Sequence, residues 1–343
     1  MSSIIIASFI KSFLVILFLG LLIYLTLFTE NLVTKILSKN YGTQIRLNPF
    51  YSLIKLFTKR ESLPDYAASP LFFRAIPFLN CFFALIPVAV IPWCEPFLIY
   101  GVPHNSEVFG NGQGTLLFFA LSSLAILTVL WSGWLAQKNV TILSSMRAAY
   151  REISCKIPLL MIVFSMILFY RSSDLNQIIL LQDRTQWGII QQPLAALIFF
   201  VALLAEIGKA PFDTAENYYE LNGGYLSEYG GSQTFFLILA EYVNLVVFSI
   251  IFIHLFLGGY HILPGLEWIV VKVPGILFSL QTTSLIIKVL ILVALYTILK
   301  LAIPRYRHED LMAFGQKGLL PLSFLNLLVV IAGQYYRTFG SLF

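Results

Sequence analysis

Charged residues, cysteines and histidines are all scarce in this chain, and each scarcity removes a class of function. Asp, Glu, Lys and Arg make up 11% of the 343 residues, against about 25% in soluble domains, so a soluble enzyme or binding module is excluded. Cys81, Cys94 and Cys155 lie far apart with no CxxC pair, which leaves no disulfide framework and no iron–sulfur or zinc motif. His104, His254, His261 and His308 are equally scattered. His254 lies in an apolar run and His261 after the turn that ends it, so both read as core or interfacial residues rather than metal ligands. The net charge of +5 would suggest nucleic acid if the bases formed one folded face. They sit instead in loops between apolar segments, where membrane orientation accounts for them. No internal repeat is visible, which argues against an inverted-repeat transporter.

What the chain has is apolar length. Hydrophobic residues make up 58% of it, and eight runs approach or reach the length that crosses about 30 Å of hydrocarbon. They are Ile4–Phe28, Ala75–Trp93, Leu116–Trp134, Ile157–Tyr170, Pro193–Gly208, Phe235–Leu257, Leu285–Ile303 and Leu319–Gly333. The fourth is short as written and is expected to begin before Ile157. The first is too long for a signal peptide and lacks a small-residue cleavage site, so it reads as a mature span. Loops one, three, five and seven hold most of the lysines and arginines, among them Arg46, Arg147, Lys156, Lys209, Arg305 and Arg307. That bias puts these loops on the inner side and both termini across the membrane. The expected fold is a single all-α integral membrane domain over residues 1–343, with about eight transmembrane helices. The first inner loop, residues 29–74, includes Asn48–Arg60, where Phe50, Leu53, Ile54 and Phe57 share one helical face. Such an amphipathic helix either lies in the interface plane or packs on a neighbouring subunit.

Acid is concentrated in one place. Glu206, Asp213, Glu216, Glu220, Glu228 and Glu241 are six of the 17 acids, and they fall around an inner loop spanning residues 205–234. Charges inside or beside membrane spans are costly and mark functional positions. Glu206 and Glu241 lie within apolar runs, where solvation does not explain them. Glu216, Glu220 and Glu228 have a loop-solvating alternative, and Asp213 an alternative as a helix cap. Pro211 and Gly223–Gly224 read as a helix stop and a tight turn.

At this point the chain resembles subunit 1 of proton-pumping NADH:quinone oxidoreductase, respiratory complex I. The resemblance runs from about Asn48 to Pro321. It rests on ALSSLAILTVLWSGW followed by SMRAAYREIS, on AEIGKAPFDTAENYYELNGGYLSEY, on LAEYVNL, on LFLGGY and on LAIPRYRHEDLM, in the family's order. It implies a subunit of an H+-translocating NADH:ubiquinone reductase that lines the quinone-access tunnel and couples quinone reduction to proton translocation. Ubiquinone is then the substrate, and no redox cofactor belongs to this chain. FMN and iron–sulfur clusters are expected in partner subunits. The implied partners are the hydrophilic quinone-pocket and iron–sulfur subunits, the antiporter-like membrane subunits and the lipid bilayer. By position, Arg46, Phe50, Phe57, Phe212, Asp213 and Tyr229 are expected along the tunnel. Glu206, Asp213, Glu216, Glu220, Glu228 and Glu241 are expected on the proton path, with Arg147, Lys209, Arg305 and Arg307 as its basic neighbours. Arg305 and Arg307 are also explained as plain inner-side anchors.

Departures from the family pattern bear on that transfer. The first loop, SKNYGTQIRLNP, lacks the family's usual motif, and Lys209 stands where the family prefers arginine. Lys156 occupies the place of a membrane glutamate, and Arg151 that of a glutamine. Glu152 and Lys156 are four residues apart, on one helical face. This predicts a Glu152–Lys156 ion pair with Arg151 nearby, against a reading in which both side chains reach solvent at the inner face. Two alternatives remain at this stage, the membrane anchor of an energy-converting hydrogenase and a stand-alone channel or transporter. Copurification with a flavoprotein rather than a nickel–iron subunit separates the first, and activity of the isolated chain in liposomes the second. The hydrophobicity and the lack of a presequence point to the mitochondrial inner membrane, with the bacterial plasma membrane as the alternative.

Overall fold

A computed structural model describes residues 2–37, 51, 55–61, 63–64, 66, 69–95, 97–99, 102–104, 106–110, 112–213, 223–262 and 277–339. Helices dominate, because long apolar runs have nowhere to satisfy their backbone in lipid except within themselves. Helix α1 spans Ser2–Leu37 and α2 spans Pro70–Leu85, followed by a tighter turn at Ile86–Val90. The third span is two stacked pieces, α3 (Gly114–Ser122) and α4 (Leu124–Leu135). Helix α5 (Asn139–Tyr170) carries Pro158 in its interior. Helices α6 (Leu175–Arg184) and α7 (Gly188–Gln191) follow at the end of the bundle away from the acidic loop, the end that the charge bias assigns to the outer side, and α8 (Pro193–Ile207) returns toward that loop. Helices α9 (Ser232–Phe256) and α10 (Leu277–Ala302) precede α11 (His308–Ala313), which passes through a wide turn at Phe314–Leu319 into α12 (Leu320–Phe339).

Among the described residues, seven helices are long and apolar enough to cross a membrane. The eighth expected span is α8, whose 15 residues rise about 22 Å at 1.5 Å per residue. As expected, the fourth span begins well before Ile157, at Asn139. The seventh begins at Leu277, earlier than the predicted Leu285, and Lys288 lies within it on either reading. One antiparallel hairpin, β1 (Phe97–Ile99) with β2 (Val102–His104), was not foreseen. Helix α8 does not run on to Pro211. It stops at Gly208, whose φ of +75° suits a glycine cap.

Helix α9 is the axis of the bundle, and every residue from 245 to 256 is buried. A helix apolar on all sides belongs in an interior. Helices α2, α8, α10 and α1 pack around it. Rings from α3, α8 and α9 fill the centre, where Phe118, Phe119 and Phe199 meet Phe248 and Phe252 edge-on or tilted. The outer faces carry bare apolar side chains such as Phe13, Leu17 and Leu197, as lipid-facing surfaces do.

Candidate functional site

Four charges lie together where α5 passes α8, in the inner half of the bundle. Lys156 Nζ is 2.8 Å from Glu206 Oε1 across the two helices, and Arg151 Nη2 is 3.5 Å from Glu152 Oε1. Lys156 is only 5% exposed and Glu206 6%. Burial of this kind is tolerated when each charge has a partner, and removing one partner is far costlier than removing both. The predicted Glu152–Lys156 pair is therefore corrected. Lys156 reaches across to α8, while Glu152 pairs with its neighbour Arg151. Helical spacing placed Glu152 and Lys156 on one face, and the helix opposite supplied the nearer anion. Lys156 is buried and the Glu152 side chain is 14% exposed, so neither stands free in solvent.

Arg151 is held by backbone shape as well as charge. Its Nη1 donates to the Gly208 carbonyl at 3.5 Å. A Cβ at Gly208 would meet the guanidinium at 2.2–2.5 Å, so the glycine that ends α8 also makes room for the arginine. Beside these charges is a cavity of about 50 Å³, with Asn80, Ser122, Arg151, Glu152, Glu206, Glu241 and Asn244 among its walls. It has space for a few water molecules. Glu206 Oε2 has no hydrogen-bond partner within the described protein. One oxygen of this carboxylate thus faces lysine, and the other is buried without a partner.

A second group of charges ties α1, α9 and α10 together. Glu30 accepts from Lys300 Nζ at 2.9 Å and from the Tyr242 hydroxyl at 3.1 Å. Lys209 Nζ stands 3.2 Å from the centroid of the Tyr242 ring, a cation–π contact. The segment after α8 is pinned near the start of α11. Phe212 stacks on Tyr306 at 5.5 Å, Tyr306 N–H donates to the Pro211 carbonyl at 3.2 Å, and Asp213 is 3.7 Å from Arg305.

A third group joins the inner loops. Lys138 Nζ donates to Glu228 at 2.5 Å, and the Tyr66 hydroxyl donates to the other Glu228 oxygen at 3.1 Å. The bond to Glu228 raises the pKa of Lys138 above its ordinary value. Tyr229 stacks on Phe73 with centroids 4.2 Å apart and donates to the Ser132 carbonyl at 2.9 Å. Burial pushes its phenol pKa up. Phe57 packs edge-on against Phe235 at 5.4 Å and against Phe236 at 6.3 Å. The first loop crosses the acidic loop at Gly231, where φ is +60° and a Cβ would lie 2.5 Å from the Lys59 carbonyl oxygen. No other residue type fits that crossing.

At the outer end, polar groups meet the backbone. Lys288 Nζ donates to the carbonyls of Leu257, Gly259 and His261 at 2.8, 2.9 and 2.8 Å. His254 places Nδ1 2.7 Å from the Ile250 carbonyl and Nε2 2.7 Å from that of Pro92. It is a buried core histidine, and among the described residues no group of three His, Cys, Asp or Glu could hold a metal ion.

The structure thus brings Glu206 and Lys156 together, sets Glu241 on the same cavity, and joins Asp213 to Arg305. Arg147 lies half-buried on α5, and Arg307 precedes α11. Phe57, Phe212 and Tyr229 are seated in aromatic contacts. Arg46, Phe50, Glu216 and Glu220 lie outside the described residues, as do six of the thirteen residues of the Asn48–Arg60 segment. Among the described residues, the cavity at Glu206 has no wall from that segment. Sequence reasoning missed Glu30, Lys300, Lys138 and Lys288. Glu30 and Lys300 each close an apolar run on the inner side, and that shared depth was the signal available.

A family model described as NADH dehydrogenase matches residues 9–331. Proteins named as the H-type subunit of NADH-quinone oxidoreductase are similar along most of their length. The one from Geobacillus thermodenitrificans is 36% identical, over 81% of this chain and 77% of its own. That from Bacillus cytotoxicus is 34% identical, over 80% and 76%. That from Syntrophotalea carbinolica is 33% identical, over 85% and 83%.

Proposed function

The chain belongs to the NADH dehydrogenase family, and we propose that it borders the quinone-access tunnel of an NADH:quinone oxidoreductase and couples quinone reduction to proton translocation. The observation that carries the coupling is the charged cavity at Glu206. Reducing a quinone to quinol takes two electrons and two protons. Partner subunits carrying FMN and iron–sulfur clusters deliver the electrons from NADH, and this chain supplies groups that hold and pass protons. A proton leaving Lys156 Nζ for Glu206 Oε1 turns the ion pair into a neutral pair without changing the net charge. Glu206 lines one cavity with Glu152 and Glu241, and its Oε2 has no protein partner among the described residues. Glu228 and Asp213, paired with Lys138 and Arg305, extend the charged route along the inner rim.

The tunnel reading is supported by the aromatic contact of the first loop with α9 and by the close crossing at Gly231. Ubiquinone is the expected substrate, entering from lipid beside the amphipathic segment. The membrane is an energy-transducing one. The bacterial relatives favour the plasma membrane over the mitochondrial inner membrane, and cell fractionation separates the two. A photoreactive ubiquinone analogue incubated with the intact complex should label peptides within residues 48–60 or 206–236, and excess ubiquinone should compete. Labelling restricted to the outer ends of the helices would remove the tunnel reading.

A further inference from the structure

Away from the inner charges, the outer end of the bundle holds a cavity of about 320 Å³ between the end of α5, the start of α8 and α12. A second cavity of about 630 Å³ adjoins it and shares Phe169 and Gln191 with it. The first has apolar walls from Phe169, Leu194, Val329 and Val330, interrupted by amides. Most of those amides are satisfied inside the protein. Gln191 accepts from the Tyr170 hydroxyl and donates to Thr185 Oγ1, each at 2.9 Å. Gln334 donates to the Phe169 carbonyl at 3.1 Å, and Asn326 donates to Ser165 Oγ at 3.1 Å.

Gln192 is different. It lines the cavity, is only 6% exposed, and neither its Nε2 nor its Oε1 has a partner. A buried amide left bare is disfavoured, and ligand sites combine apolar walls with a few convergent polar groups. An occupant that satisfies this amide must offer an acceptor to Nε2 and a donor to Oε1, on a body that is otherwise apolar. The rim adds a sign. Arg171 donates to Gln334 Oε1, on the wall of the first cavity, at 3.2 Å, and Arg184 directly precedes Thr185, which lines the second. No described Asp or Glu lines either, and nearby Asp183 is 3.6 Å from His261.

We propose that this outer cavity is a phospholipid site. It selects an anionic lipid whose headgroup carries a free hydroxyl beside its phosphate. The phosphate accepts from Gln192 Nε2 and faces the arginine rim, the hydroxyl donates to Gln192 Oε1, and an acyl chain lies along Phe169, Val329 and Val330. A choline headgroup has no donor and leaves Oε1 bare. The site is separate from the Glu206 cavity and does not depend on the proton-path reading.

The test uses the intact complex in nanodiscs with two phospholipids bearing a photoreactive group on the acyl chain, one with a glycerol-phosphate headgroup and one with choline. The glycerol-phosphate lipid should label peptides around Phe169 or Val329 about tenfold more than the choline lipid, the ratio expected of roughly 1.4 kcal/mol. Gln192→Leu should abolish that excess while quinone reductase turnover stays unchanged. Equal labelling by both headgroups would mean ordinary annular lipid. No labelling would mean that water or a neighbouring subunit fills the cavity, and labelling that survives Gln192→Leu would remove the recognition. If the variant does not assemble, the headgroup contrast in the unaltered complex decides alone.

Discussion

The inner and outer halves of this bundle both bury cations, and they satisfy them in opposite ways. On the inner side, Lys156 and Arg151 face the carboxylates of Glu206 and Glu152. On the outer side, Lys288 directs its ammonium at three main-chain carbonyls at the end of α9. A carboxylate partner takes a proton at little cost, whereas an amide carbonyl does not. The inner arrangement is thus suited to exchange and the outer one to holding a turn in place. Burial does not distinguish Lys156 from Lys288, and the chemistry of the partner does.

The largest effect should come from breaking the inner pair. Lys156→Met leaves Glu206 buried without its cation, a change that costs about 3–5 kcal/mol in comparable sites. Yield of assembled complex and proton pumping should both fall sharply. Adding Glu206→Gln should recover most of the assembly, and adding Glu152→Gln should recover little. Assembly measured by native electrophoresis for the three variants settles the partner, and recovery through Glu152→Gln instead would restore the i, i+4 pair. At the outer end, Lys288→Met removes a charged donor from three carbonyls and should lower stability by about 1–3 kcal/mol. Melting of the complex should shift downward while the protons pumped per quinol formed stay constant. A changed pumping ratio with normal melting would place Lys288 on a proton route and end the contrast.

How much of this was legible in the sequence follows the same division. The spans were readable because apolar length is a one-dimensional property, and the acidic inner segment stood out against an apolar background. The fourth span's early start was also readable, since a run ending at Tyr170 needed more residues to cross. The partner of Lys156 was not readable. Periodicity along α5 ranks neighbours on one helix, while Glu206 comes from α8 and is brought near only by packing around α9. Lys288 was hidden for another reason. Its partners are carbonyls, which every residue carries, so no side-chain pattern announces them. The same holds for Gln192, whose interest lies in what it fails to bond.

The smallest expected effect is a pH response at the outer end, beside the turn whose carbonyls the buried Lys288 holds. His261 lies beyond α9, with Nδ1 3.6 Å from Asp183 and 3.8 Å from Glu95. Its pKa is lowered chiefly by burial and also by Lys288, while the two acids act the other way. The sign follows from linkage. With a depressed folded value, the unfolded chain binds more protons than the folded one across the window, so stability rises with pH there. The stabilisation is complete above the ordinary histidine value of about 6.5 and is lost progressively as pH falls through the depressed value. Hydrogen exchange of residues 257–262 should therefore quicken on acidification relative to the inner ends of α5 and α8. His261→Gln, which stays neutral, should flatten that response without altering quinone reduction at neutral pH. If the variant keeps the full acid response, the outer turn is governed by Asp183 and Glu95 rather than by the imidazole. The difference between the two halves would then rest on Lys288 alone.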